Sequence, residues 1–157
     1  MFQGELVGIF ITREKGGACE RREAGVLHQG RGLEGDRYFF GAKGSGPALP
    51  QGAREVTLFE AEVLEALRTE GGPRLDASAM RRNLLTRGVP LNHLVGRVFQ
   101  VGGARLRGVM LCEPCVRLDK LTGQKLIRPL LHRGGLRAAV LQGGAIACGD
   151  AIEPIRA

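Results

Sequence analysis

A chain of 157 residues is long enough for one domain that buries roughly 70% of the surface its unfolded form exposes, so its core needs no disulfide or metal staples. Hydrophobic residues at 43% and charged residues at 25% fit a soluble globular protein, while Gly 25, Trp 0 and Tyr 1 favour many turns and short strands over long helices. Lys+Arg 23 against Asp+Glu 16 leaves a net charge of +7 with a pI near 9.9, which suits an anionic partner such as nucleic acid, a phosphorylated cofactor or an acidic surface.

The N-terminal run Met1 to Thr12 has no basic leader and carries Glu5 among its apolar residues. No apolar stretch approaches the ~20 residues a membrane span needs. The expectation is a cytoplasmic protein, in which Cys19, Cys112, Cys115 and Cys148 remain thiols. Glu5 to Thr12, rich in Val, Ile and Phe, reads as a strand buried on both faces, and a polar turn follows at Arg13 to Gly17. Ala24 to His28 reads as a second short strand.

That strand feeds into Gly30-x-Gly32-x-x-Gly35, the literal dinucleotide fingerprint. The fingerprint works because its glycines open a helix whose N-terminus faces a pyrophosphate. Here Asp36-Arg37 and a β-favouring aromatic triplet follow, with no amphipathic helix. The better reading is a tight loop whose glycines take positive φ, with Asp36 and Arg37 anchoring it or facing a ligand. Residues 41–52, rich in Gly and Pro, read as a mobile surface loop.

Glu55 to Leu58 restarts as a strand. Phe59, Val63, Leu64 and Leu67 then fall on one helical face, closed by Gly71-Gly72-Pro73. Asp76 to Met80 reads as a capped helical turn, and Arg81-Arg82-Asn83 leads into a short apolar strand. Paired arginines are usually a solvated face, but guanidinium forks beside an amide can also hold an oxoanion. Arg97 to Val101, Gly102-Gly103 and Ala104 to Val109 form a predicted hairpin with Phe99, Val101, Ala104 and Leu106 inward and Arg105 and Arg107 outward. Gln124 to His132 shows helical spacing interrupted by Pro129, Leu136 to Leu141 a strand, and Ala145 to Ile152 a closing arm. Many short strands, glycine turns and two or three helices predict a mainly β fold, a largely antiparallel β-barrel with a few peripheral α-helices. No internal repeat or domain boundary is visible, so residues 1–157 read as a single domain.

The chemistry concentrates in Cys112-Glu113-Pro114-Cys115, with Arg117 and Lys120 beyond it. A thiolate attacks electrophiles and binds soft metals, and positive neighbours enrich it. A structural zinc site would want a second close ligand pair. Cys19 and Cys148 are isolated, and His28, His93 and His132 lack ligand spacing.

Five short motifs in order now carry a resemblance: Gly32-x-x-Gly35-Asp36-Arg37, Arg81-x-Asn83-Leu84, Gly96-x-x-Phe99-x-x-Gly102, Glu113-Pro114-Cys115, and Arg133-Gly134-Gly135-Leu136-x-Ala138 with Gly144-x-Ile146-x-x-Gly149-Asp150. Together they span nearly the whole chain. It resembles the MOSC domain, found at the C-terminus of molybdenum-cofactor sulfurases and in stand-alone bacterial proteins. The resemblance implies a pyruvate-kinase-β-barrel-like fold. It also implies that Cys115 is a sulfur carrier or, as in the related amidoxime-reducing enzymes, the thiolate bound to the molybdenum of the cofactor. Arg81 and Asn83 match positions lining the same pocket, and Arg37 and Asp36 are further candidates for cofactor contact. Cys112 is a resolving thiol or a core residue.

The reducing enzymes carry an additional N-terminal module, and the sulfurases an aminotransferase-like half that holds pyridoxal phosphate. Neither is present in these 157 residues, so no pyridoxal phosphate site is expected. The resemblance thus implies a stand-alone MOSC protein that binds molybdenum cofactor (molybdopterin) or handles its sulfur, served by a sulfur donor or a redox partner. The enzyme alternative is a molybdenum-dependent oxidoreductase that reduces N-hydroxylated compounds. A basic nucleic-acid-binding barrel is the alternative of another class, disfavoured by an aromatic content of 4% because single-strand binders stack bases on aromatics.

Overall fold

The computed structural model describes residues 1–41 and 48–156. In chain order, its strands are β1 (Gly4–Ile11), β2 (Glu20–Arg22), β3 (Ala24–His28), β4 (Gly32–Leu33), β5 (Val56–Glu60), β6 (Leu84–Arg87), β7 (Val98–Val101), β8 (Ala104–Leu111), β9 (Leu136–Gln142), β10 (Gly144–Ala147) and β11 (Ala151–Pro154). The helices are α1 (Ala61–Thr69), α2 (Val116–Thr122) and α3 (Ile127–Leu130), with single 3-10 turns at Ala77–Met80 and Leu91–Leu94. Of the loop expected over 41–52, residues 42–47 lie outside the described residues.

Seven strands follow one another in the order β11-β7-β8-β9-β5-β6-β1, and β1 pairs again with β11 to close a barrel. Closure runs through Gly4 opposite Ile152 and Glu5 opposite Ala151. It removes the open edges that would otherwise invite pairing with other chains. All barrel pairs are antiparallel except β5 with β6. A small second sheet, β10-β3-β4, stands beside the barrel.

The β7–β8 hairpin has the expected register, with Val101 opposite Ala104 and Phe99 opposite Leu106. Those four side chains are fully buried, while Arg105 and Arg107 are exposed. Ile9, Phe10 and Ile11 are consecutive and all buried, so the end of β1 is covered on both faces. In α1, Val63 and Leu67 face inward onto Phe59, Met80, Leu118, Leu126 and Leu130, a second apolar cluster outside the barrel. Burying a Leu or Phe there contributes about 1.5–3 kcal/mol.

Two expectations are corrected. The closing arm at 145–152 is not one strand: Cys148 to Asp150 turn the chain, β10 pairs with β3, and β11 returns to β7 and β1. The helix expected over Gln124 to His132 shrinks to the four residues of α3. Pro129 cannot donate a hydrogen bond to continue the ladder, and Leu126 and Leu130 alone of its apolar residues turn into the core. Among the described residues no helix is long and apolar enough to cross a membrane.

Candidate functional site

The end of β1, the loop after β4, the segment entering β6 and the loop after β8 converge on one cavity of about 310 Å³. Arg37, Arg54, Arg81, Arg82, Arg117 and Arg137 line it, with both Cys112 and Cys115. Every residue expected at the site from sequence, namely Asp36, Arg37, Arg81, Asn83 and Cys115, borders this cavity.

The glycine loop is what brings Asp36 and Arg37 there. Gly30, Gly32 and Gly35 have φ of 72°, 105° and 91°, a left-handed backbone that glycine adopts without a Cβ clash. No helix follows; residues 37–41 continue as turns. Asp36 is 2% exposed. Its Oδ1 accepts the Thr12 N–H at 2.9 Å and its Oδ2 the Tyr38 N–H at 3.3 Å. Burial pushes its carboxyl above the ordinary value, opposed by those two hydrogen bonds and by the charge of Arg37. Arg37 donates to the Tyr38 hydroxyl at 3.0 Å and lies over that ring.

The basic pair splits into two roles. Arg82 is anchored by three backbone acceptors: Gly134 O at 2.9 Å, Met80 O at 3.2 Å and Cys112 O at 3.2 Å. It is a tie between loops, a role that the solvated-face reading of paired arginines does not anticipate. Arg81 caps the 3-10 turn with φ 59° and ψ 35°, a left-handed conformation rare for a non-glycine residue. Its Nη1 donates to Gly17 O at 2.7 Å. Such strain, of order 1 kcal/mol, persists only where the surroundings impose it, and it clusters at functional sites.

Asn83 is buried and its amide is engaged at both ends. Oδ1 accepts from Thr57 N–H at 3.0 Å and the Thr57 hydroxyl at 3.2 Å, while Nδ2 donates to Phe10 O at 3.2 Å. It stitches β1, β5 and β6 together at the cavity wall. That leaves its amide little capacity for a ligand.

The four cysteines are free thiols and differ in access: Cys115 is exposed, Cys19 and Cys148 are intermediate, and Cys112 is buried. Burial is the main force raising the Cys148 thiol, with Glu23 adding to it, and that sulfur lies 3.7 Å from Arg22 O. Cys19 Sγ sits 3.0 Å from the Thr12 hydroxyl. Cys115 ends the loop after β8 and occupies the position before α2, with extended φ −138°. Among the described residues, no three of His, Cys, Asp and Glu converge as metal ligands.

Sequence reasoning did not single out Arg54 and Arg137 at this site. Arg137 sits within the apolar β9 run, and Arg54 follows a loop with no motif. The only available signal for Arg137 was its place as a charge flanked by Leu136 and Ala138, which turn into the core.

In fold, the chain is similar to the YuaD protein of Bacillus subtilis, with a TM-score of 0.81 and 19% identity over 99% of this chain and 100% of that one. It is similar also to YiiM of Geobacillus stearothermophilus, with a TM-score of 0.74 and 15% identity over 98% and 75% of the two chains. YiiM of Escherichia coli matches with a TM-score of 0.66 and 19% identity over 98% and 70%. At these identities the likeness establishes the fold alone. No curated protein matches the sequence. The MOSC domain model, however, matches residues 26–153, a span that holds the glycine loop, Arg81 to Asn83 and both cavity cysteines, and the chain therefore belongs to the MOSC domain family.

Proposed function

We propose that this protein binds molybdenum cofactor, or carries sulfur for it, through Cys115. The observation that supports the reading most is that the most exposed thiol of the chain shares one cavity with six arginines. The donor set fits such a group. A soft thiolate suits a molybdenum–sulfur centre, and guanidinium forks suit the phosphate of an anionic pterin. When bound, the cofactor supplies a metal able to exchange oxygen or sulfur ligands in two-electron steps.

The residues of this chain divide the remaining work. Cys115 offers the sulfur at the cavity mouth. Arg81 and Arg37 orient the anionic part of the ligand, with Arg117 and Arg137 adding positive field. Asp36 and Asn83 hold the walls, Asp36 by fixing the glycine loop to Thr12 and Asn83 by fixing β6 to β1 and β5. In the sulfur-carrier form of the reading, the Cys115 thiolate takes the outer sulfur from a donor persulfide, and the donor's thiolate leaves.

The test is the molybdenum and pterin retained by wild type and by Cys115→Ala after anaerobic incubation with molybdenum cofactor and gel filtration. Retention by wild type and its loss in the variant are expected. Equal retention in both would overturn the ligand role. Zero retention in both, combined with a persulfide on Cys115 after exposure to a sulfur donor, would leave the carrier role.

A further inference from the structure

Two of the short motifs in the sequence, Cys112 to Cys115 and the one that starts at Arg133, meet in space and, with His132 just before the second, are laced together. The Cys112 N–H donates to Gly135 O at 2.8 Å. Arg82 bridges Cys112 O and Gly134 O. The third tie is different in kind. Glu113 turns its carboxylate onto His132, accepting the main-chain N–H on Oε1 at 2.7 Å, and its Oε2 lies 2.7 Å from ring Nδ1. His132 itself is held left-handed, with φ 63°, and its carbonyl accepts from Asn92 Nδ2 at 2.6 Å.

This clasp is more than a surface ion pair, which by itself is worth little. One of its two bonds is to the backbone of a residue locked in a strained conformation, so the carboxylate has a fixed address. Between Glu113 and Cys115 stands only Pro114, whose ring fixes φ. A constraint on the Glu113 carboxylate therefore carries along a short, stiff connection to the thiol.

We propose that Glu113 is a positioning residue for Cys115: clamped on His132, it holds the 112–115 loop so that the thiol faces the arginine-lined cavity. This rests on the reading of Cys115 as the functional sulfur, but its test needs no cofactor. The probes are iodoacetamide, which is neutral, and iodoacetate, which is an anion. Both react with the thiolate, so their rate ratio at Cys115, read by peptide mass mapping at low salt, reports the positive field around the sulfur rather than its degree of ionisation.

In Glu113→Ala the iodoacetate-to-iodoacetamide ratio is expected to fall about three-fold as the thiol leaves the arginines. In Glu113→Gln it should stay within about two-fold of wild type, because the amide accepts the His132 N–H and donates to Nδ1 in the other ring tautomer. His132→Ala keeps the main-chain bond and should lie between. A ratio that rises in both Glu113 variants would mean that Glu113 acts through its charge, and a ratio unchanged in all three would mean a mere loop anchor; either overturns the proposal. Should Glu113→Ala unfold, with buried Cys112 alkylated as fast as Cys115, the Gln and His132→Ala variants decide by the same signs. Failure of wild type to retain molybdenum would remove the cofactor reading and leave this result standing.

Discussion

Asn83 and Arg81 stand two residues apart, border the same cavity and do different things there. The Asn83 amide satisfies Thr57 and Phe10 in a buried place, where leaving a donor or acceptor unpaired costs about 1–3 kcal/mol each. Asn83→Ala is therefore expected to lose about 2–4 kcal/mol of stability in urea unfolding. A loss below about 1 kcal/mol would return Asn83 to the ligand-contact role that its motif suggests. Arg81 carries backbone strain that a glycine would not. Arg81→Gly should be more stable than Arg81→Ala by about 1 kcal/mol, while both retain less molybdenum than wild type. Equal retention by these variants and wild type would remove Arg81 from the site.

At the scale of elements, the loop from Gly30 to Tyr38 illustrates how a motif can be literal and still misleading. Its three glycines match a phosphate-binding spacing, yet what they serve is a turn of positive φ, and at Gly32 a close backbone approach as well: a Cβ there would run into the carbonyl of Glu55. Gly32→Ala is accordingly expected to cost about 3 kcal/mol or more, since both the positive φ and the contact oppose it. A midpoint within error of wild type in thermal unfolding would refute that account. The helix α2 was not legible in the sequence. Of its apolar residues only Leu118 is buried, while Val116 and Leu121 are exposed, so no periodic stripe marks it. It is stopped locally by Gly123 at φ 68°. The hairpin β7–β8 is the opposite case, because alternation over Phe99 to Leu106 and two glycines specify both the turn and the face.

For the whole molecule, closure of the barrel and its response to pH are the consequences that matter. Ile152 is fully buried and its strand closes the barrel between β1 and β7. Ile152→Ala should cost about 2–5 kcal/mol. The pH response follows from the sign of the carboxylate shifts. Burial holds Asp36 above its ordinary value near 3.8, so the native state binds that proton more tightly than the unfolded chain does. Its stabilising contribution is full below pH 3.8 and is lost as pH rises through the raised native value. Glu65 and Glu70, lowered by hydrogen bonds from Arg87 and Arg133, act in the opposite direction and lose their contribution as pH falls. The difference in Tm between wild type and Asp36→Asn should therefore be most favourable to wild type near pH 3 and shrink toward pH 7. A difference that does not vary with pH would contradict the burial argument.

The sequence by itself determined the mainly β character, the register of the β7–β8 hairpin, the glycine loop and the position of the Cys112–Cys115 pair, because each is written within a few residues as alternation, turn chemistry or a short motif. The order of strands around the barrel, the split of β10 from β11, and the meeting of Arg37, Arg54, Arg81, Arg117 and Arg137 on the cavity that Cys115 also borders were decided by tertiary structure. Those arginines stand on loops, at the start of β9 and in the first turn of α2, far apart in the chain, where no local period records which way a side chain turns. The clasp of Glu113 on His132 belongs to the same class: two polar residues 19 positions apart become neighbours only once β8 and β9 pair, since it is that pairing which lays their loops side by side.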